Sequence, residues 1–403
     1  VTGRLYQNDS YKTEFDAVVS EVLDRDGLTG IVLDSTFFYP ESGGQPCDTG
    51  TIGGVPVESV VEEGDAIIHI LGGKPGFGVG DRVECVVDWA RRFTNMQQHT
   101  GQHILSQAFE RVLGARTVSS ALGTEHSTID VSRLDLKWED MERVEVEANR
   151  IVYENRPVKI YEASREDAGD LRVKRDVGRD LLRVVEVDGF DRSPCGGTHL
   201  RTTGETGLIK ILRWEKVRDT TRVEFICGGL AQADYFWKNR FIVDLAQRLT
   251  TKDANLPGLV DAVLDENKAL RKEIARLKSD LAGCRVHDLM KSAEEVAGKR
   301  LVAGVFDDME LDDLRRLAAG AVGAGCTVAL FCARGGKARF VFSRSDDVNI
   351  DMREAMEAAC AVAGGRGGGK PEVAQGGSDR PDLADRALAA AMDLVRRRAA
   401  DIS

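Results

Sequence analysis

Two short motifs, His99-Thr100-Gly101-Gln102-His103 and Cys195-Gly196-Gly197-Thr198-His199, place the strongest demand on the fold because they stand far apart in the chain. Around the first, Met96, His99, His103, Ala108 and Val112 recur at spacings of three to five, and Gly114 follows. That pattern predicts a helix over 91–113 with a glycine stop. Two histidines four apart on a helix share one face, one turn apart, so both can reach a single cation. Taken alone, such a pair is as often a surface or core coincidence as a ligand pair. In the second motif two glycines let the backbone turn sharply between a thiol and an imidazole. Together His99, His103, Cys195 and His199 form the nitrogen and sulfur donor set that suits tetrahedral Zn²⁺. A compact zinc finger does not space its ligands this way, so a whole domain must bring the halves together. HTGQH also lacks the glutamate that follows the first histidine in HExxH, the usual base of a metallopeptidase, which weighs against peptidase chemistry.

A chain of 403 residues suggests roughly two to four domains. Apolar residues make up 42% and charged residues 30%, the balance of a globular protein and not of a disordered one. Residues 1–90 read as β-rich, with runs such as Gly30–Leu33 and Arg82–Val87 between glycine pairs, and predict a small barrel-like domain. Residues 91–230 predict an α+β layer with helices over 91–113 and about 138–154, then strands near 158–161, 182–187, 207–214 and 222–226. Residues 231–287 predict a helical linker. Within it Val260, Asn267, Ile274 and Leu281 fit heptad position a, and Leu256, Val263, Leu270, Leu277 and Cys284 fit d. Glu266 and Glu273 then stand five residues before Arg271 and Lys278, the spacing for pairing between two parallel chains. An antiparallel hairpin against the apolar helix at 231–249 explains the same pattern. Residues 288–403 predict an α/β domain with strands near 301–306, 327–332 and 338–343, helices near 310–322 and 352–362, a glycine loop and a final helix from about 381. The fold class expected is therefore multidomain α+β and α/β.

The motif order carries a resemblance. HTGQHIL, CGGTHL and Arg222–Gly228 (RVEFICG) resemble the editing domain of alanyl-tRNA synthetases, and still more their free-standing relatives, the AlaX proteins. Asp34–Pro46 (DSTFFYPESGGQP) is similar to that family's T-x-F-Y-P-E-x-G-G-Q loop. Gly367–Gly377 (GGGKPEVAQGG) resembles the glycine-rich segment of the C-terminal DHHA1 domain. The combination points to the long AlaX form. The chain is too short to hold a synthetase's aminoacylation domain as well, and it lacks the Asp-His-His motif of DHH phosphoesterases. The resemblance implies trans-editing: hydrolysis of tRNA(Ala) wrongly charged with serine, and with glycine, at a zinc site. It implies catalytic roles for Thr36 and Gln45, with Thr36 sensing the serine hydroxyl, and substrate contacts from Gly43, Gly44 and Arg222. Without the resemblance Thr36 reads as a strand-edge residue. Gln98 and Gln102 lie where they can reach substrate, although solvated helix surface is the plainer reading, and Asp130 reads as structural support. Four protein ligands also pose a question, because a catalytic zinc keeps one position open. A weakly bound ligand, an expanded coordination shell and a zinc that only positions substrate all answer it. The other classes are a zinc-stabilised tRNA adaptor without hydrolysis and a hydrolase of a small ester or amide.

A net charge of −11 excludes a uniformly basic nucleic-acid coat and a polybasic membrane binder. Local patches offset it. Residues 171–183 carry five bases against two acids, and 201–222 carry six against three, each a surplus of three. Lys174, Arg175, Lys210, Arg213, Lys216 and Arg218 are the candidate phosphate contacts, with Gly367, Gly368, Gly369 and Lys370 in the C-terminal domain. The partners expected are tRNA(Ala) and a second copy of the chain through the C-terminal half. No apolar run is long enough to cross a bilayer. Eight scattered cysteines without a CxxC pair fit reduced thiols in a cytoplasmic protein.

Overall fold

A computed structural model describes residues 2–25, 27–164 and 181–401. The chain divides into two compact units, Val1–Thr250 and Thr251–Ser403.

In the first unit, strands Glu14–Arg25, Leu28–Leu33, Gly50–Ile52, Val55–Glu63, Ala66–Leu71 and Arg82–Val87 pair antiparallel into a closed barrel. Alternation sets the inside. Phe15, Ala17 and Val19 point inward while Glu14 and Asp16 face solvent, and Val83, Cys85 and Val87 repeat the pattern. Two inward strands therefore meet Ile31, Leu33, Ile52 and Val60 in one apolar core.

Helix α1 (Trp89–Leu113) leaves the barrel directly. The Asp88 side chain caps it by accepting the Arg91 N–H, and Gly114 ends it in the left-handed region at φ 64°. Fully buried Arg92 locks it to the barrel: its guanidinium donates to Asp48 and to the carbonyls of Ser10 and Phe37. Behind α1 lies an antiparallel sheet of strands Thr117–Ala121, Ser127–Val131, Thr220–Cys227 and Ile209–Val217. Helix α2 (Trp138–Tyr153) presents Met141, Val144, Ala148, Ile151 and Val152 to the same core. A separate three-stranded sheet, Val158–Ser164, Leu181–Val187 and Asp191–Pro194, delivers the chain to Cys195. Helix α3 (Gly228–Arg248) closes the unit and keeps Tyr235, Phe236, Trp237 and Phe241 exposed.

The second unit opens with helix α4 (Leu256–Lys291), with Pro257 in its first turn. A six-stranded mixed sheet follows, in which strands Lys299–Asp307 and Thr327–Arg334 run parallel. Thr327–Ala333 is buried on both faces. Helix α5 (Leu311–Val322) covers one face, while α6 (Met352–Ala363) and α7 (Ala384–Asp401) cover the other. The expected glycine loop is instead a hairpin: Arg366–Lys370 pairs with Val373–Ser378 at the sheet edge. Its glycines answer to packing. A Cβ at Gly367 would stand 2.5 Å from Met356 Cγ, and one at Gly376 2.6 Å from Met356 Sδ. The ribbon lies flat on α6 only because those side chains are missing.

Candidate metal centre

His99 and His103 project from one face of α1, and its opposite face explains the glycine between them. A Cβ at Gly101 would lie 2.3 Å from Cys227 Sγ, so only glycine lets the helix sit this close to the strand behind it. The second motif follows strand Asp191–Pro194. Arg183 holds it by donating to the carbonyls of Cys195 and Gly197, and also to that of Gln7. A Cβ at Gly197 would fall 2.2 Å from His99 Cε1 and 2.8 Å from Gln45 Oε1. The CGGTH loop can therefore close on the helix only with glycine there.

The four side chains converge. One donor atom from each of His99, His103, Cys195 and His199 lies within 4.8 Å of the other three. Nε2 of His99 and Nε2 of His199 each stand 3.3 Å from Cys195 Sγ. A tetrahedral zinc with ordinary bond lengths places nitrogen and sulfur about 3.5 Å apart, so the donor set fits that ion. Each imidazole is held by its other nitrogen. His99 Nδ1 donates to Gln45 Oε1 at 2.7 Å, His103 Nδ1 donates to Asp191 Oδ2 at 2.9 Å, and His199 Nδ1 bonds Thr100 Oγ1 at 3.2 Å. Donors at Nδ1 leave the Nε2 lone pairs for a cation, and the outer partners fix ring orientation.

Electrostatics separate the four groups. Burial works against the Cys195 thiolate, yet the surrounding imidazoles outweigh it and bring Cys195 well below the ordinary thiol range. Burial and the neighbouring His99 push His199 down to about 3, so its imidazole is neutral. Burial opposes a charge on His103 too, but Asp191 and Cys195 overcome it and raise His103 to about 10, so a cation bound there displaces a proton from Nε2. A cavity of about 320 Å³ opens beside the cluster, with Gly43, Gln102, Ser106, Asp191 and Gly196 in its wall.

The other expected site residues divide. Gly43 lines the cavity. Gly44, at φ 84°, lies where a Cβ would press on Ser120 O at 3.0 Å. Gln45 is buried and supports His99, and its amide nitrogen donates to Thr198 Oγ1. Thr36 is fully buried, on the short strand that pairs with Gly3–Arg4. His69 Nδ1 faces the Ile31 carbonyl at 2.9 Å and must donate there, so Thr36 donates to His69 Nε2 at 2.9 Å. Thr36 Oγ1 also accepts the Phe38 N–H, and Thr36 is not in the cavity wall. Arg222 forms a two-point ion pair with Asp130 across the sheet instead of lining the cavity. Gln98, expected at the solvated surface, is buried and exchanges two hydrogen bonds with the Cys227 backbone. Gln102 is buried too. Lys210 pairs with Glu145 and Arg213 with Glu224, while Lys216 and Arg218 are exposed. Lys174 and Arg175 lie outside the described residues. Gly367–Lys370 belong to the exposed edge strand.

Sequence reasoning missed Asp191, Thr100 and Arg183. A faint signal existed for Asp191, a carboxylate one strand-length before Cys195. None existed for Arg183, whose partners are backbone carbonyls.

Comparison with known proteins places this architecture. Residues 182–223 match the threonyl and alanyl tRNA synthetase second additional domain, residues 8–91 match tRNA synthetases class II (A), and residues 298–397 match the DHHA1 domain. The alanyl-tRNA editing protein AlaX-L of Pyrococcus horikoshii is 31% identical over 387 residues, covering 93% of this chain and 94% of that protein. The chain belongs to the AlaX-L family. The alanine–tRNA ligase of Methanoregula boonei is 36% identical over 96% of this chain, and that of Pyrococcus abyssi 34% identical over 93%. The chain spans only 43% and 42% of those ligases. Among solved structures, the C-Ala domain of the Aquifex aeolicus alanyl-tRNA synthetase is similar to 26% of the chain, at 29% identity and a TM-score of 0.24. No described helix is long and apolar enough to cross a membrane.

Proposed function

We propose that the chain is a deacylase that hydrolyses the ester of tRNA(Ala) wrongly charged with serine or glycine, with zinc held by His99, His103, Cys195 and His199. The observation that carries this reading is the convergence of the four donor atoms, three of whose residues (His99, His103 and Cys195) line an open cavity. Membership of the AlaX-L family supports it. Zinc bound there supplies Lewis acidity toward an ester carbonyl or a water molecule. The chain's own residues orient and admit. Gln45, Asp191 and Thr100 hold the imidazole rings, and Gly43 and Gly196 keep the wall low for the 3′ end of the tRNA. Exposed Lys216 and Arg218 offer contacts for phosphates in a salt-sensitive complex. Helix α4 leaves Val263, Leu270, Ile274, Leu277 and Leu281 about half exposed, which favours a homodimer through this stripe.

A filled four-ligand set is the arrangement of a structural zinc, and it favours one alternative: a zinc-stabilised tRNA adaptor. Purified protein assayed on Ser-tRNA(Ala), Gly-tRNA(Ala) and Ala-tRNA(Ala) separates the two. The deacylase releases serine and glycine faster than alanine. An adaptor binds all three with zinc in place and releases none.

A further inference from the structure

The loop that carries Cys195 and His199 is held from behind by one side chain. Arg183, on strand Leu181–Val187, donates from Nη1 to the carbonyl of Cys195 at 2.6 Å and to that of Gly197 at 3.0 Å. The Cys195 N–H in turn donates to the Arg183 carbonyl at 3.0 Å. Two carbonyls of the CGGTH turn therefore point at the guanidinium, and Arg183 lies outside the cavity wall.

A trans peptide is planar, and its N–H points opposite to its C=O. Fixing the carbonyls of Cys195 and Gly197 thus aims the N–H groups of Gly196 and Thr198 away from Arg183. The Thr198 N–H shows where that direction leads: it donates to Gln45 Oε1 at 3.2 Å, the same atom that accepts from His99. The Gly196 N–H is aimed by the same means but has no acceptor among the described residues. Gly196 is exposed and lines the cavity beside His99, His103 and Cys195. A Cβ built on it would meet nothing within 4 Å. A backbone donor with a fixed direction and open space before it thus stands at the edge of the candidate metal centre.

We propose that the Gly196 N–H, aimed by Arg183, is the donor that stabilises the negative oxygen formed as the aminoacyl ester is hydrolysed. This rests on the deacylase reading and adds a catalytic group outside the metal ligands, with Arg183 as its positioning residue. When water adds to the ester carbon, a new C–O bond forms and the carbonyl electron pair moves onto oxygen. The pair returns as the bond to the ribose oxygen breaks, and the proton given up by the water ends on that ribose oxygen. A donor placed for the charged oxygen bonds more strongly as the charge develops, so it raises kcat more than it tightens ground-state binding. The donor is preorganised, because the arginine and not the substrate sets its direction.

The test uses full-length protein of measured zinc content, with kcat and KM on Ser-tRNA(Ala) and Kd for tRNA(Ala) carrying serine through a non-hydrolysable 3′-amide. Gly196→Pro deletes the N–H and should lower kcat by about 10²- to 10³-fold, as removal of one oxyanion donor does, with Kd within about threefold of wild type. Gly196→Ala keeps the N–H and turns its methyl into open space. It should retain at least about tenfold more kcat than Gly196→Pro. Equal loss in the two variants overturns the assignment, since crowding and not the N–H would be responsible. An unchanged kcat in Gly196→Pro overturns it as well. If the proline variant loses zinc, Arg183→Lys decides. It keeps the charge but not the planar fork, and at full zinc content it should lower kcat by about tenfold with Kd held. An unchanged kcat there, or a loss carried by Kd, overturns the proposal and leaves the deacylase reading standing. Wild-type protein that holds zinc and releases no amino acid overturns the deacylase reading, and this proposal with it.

Discussion

The first unit buries histidines in two places that share chemistry and differ in outcome. In the barrel, His69 donates from Nδ1 to the Ile31 carbonyl, and its Nε2 is occupied by the Thr36 hydroxyl. On α1 and the CGGTH loop, His99, His103 and His199 are also anchored at Nδ1, but their Nε2 atoms face one another and a thiol. Burial alone therefore does not make a ligand. What decides is whether the second nitrogen is satisfied by the fold or left for a cation. His69 is a finished hydrogen-bonding residue, while the four donor atoms of the cluster could hold a metal ion.

That contrast breaks most visibly at the thiol. Cys195→Ala removes the atom that His99 and His199 converge on. It should lose zinc on dialysis and lower Ser-tRNA(Ala) deacylation at least about a hundredfold, as expected when a site's binding energy depends on its full ligand set. Elemental analysis and single-turnover kinetics read both. Retained zinc with full activity would remove Cys195 from the site.

The barrel histidine answers to pH. Burial depresses His69 from an ordinary 6.5 to about 4. The unfolded chain therefore takes up the proton first as pH falls. The associated stability is complete above pH 6.5 and drains away as pH drops to 4, by at most about 3 kcal/mol. Denaturation of wild type and His69→Gln at pH 7.5 and 4.5 isolates the effect: the variant should show a smaller loss. An equal loss would mean that His69 is not buried neutral.

Smaller effects come from the supporting groups. Asp191→Asn keeps all four ligands but weakens the hold on His103, and should cost about 10- to 100-fold in zinc affinity, measured by chelator competition. Thr36→Val leaves His69 Nε2 and the Phe38 N–H without their partner. It should cost about 1–2 kcal/mol of stability and depress Ser-tRNA(Ala) deacylation, with zinc stoichiometry unchanged. Unchanged serine deacylation in Thr36→Val would remove Thr36 from hydroxyl recognition.

The sequence disclosed most of this where a pattern repeats. The spacing of Met96, His99, His103, Ala108 and Val112 placed α1, and Gly114 ended it. The two motifs named the ligands because glycine and donor types combine in a short window. Patterns failed where contacts come from distant chain segments. Gln98 looks solvated in a polar run, yet the strand ending at Cys227 covers it. Thr36 matches a family loop, but the match says nothing about which way its hydroxyl points, and His69 stands unmarked in an apolar strand. The glycines at 367–369 read as a loop because composition marks flexibility, whereas here Gly367 makes room for Met356 and Gly369 for the backbone of the paired strand.

Metal dependence is the most direct test of the cluster as a reaction centre. Full-length protein is stripped with a chelator, assayed on Ser-tRNA(Ala), then titrated with zinc. A centre of this kind should hold one zinc per chain through its four ligands, lose deacylation on stripping and regain it in proportion to zinc added, up to one equivalent. Zinc-free, folded protein that still deacylates Ser-tRNA(Ala) at the full rate would contradict it.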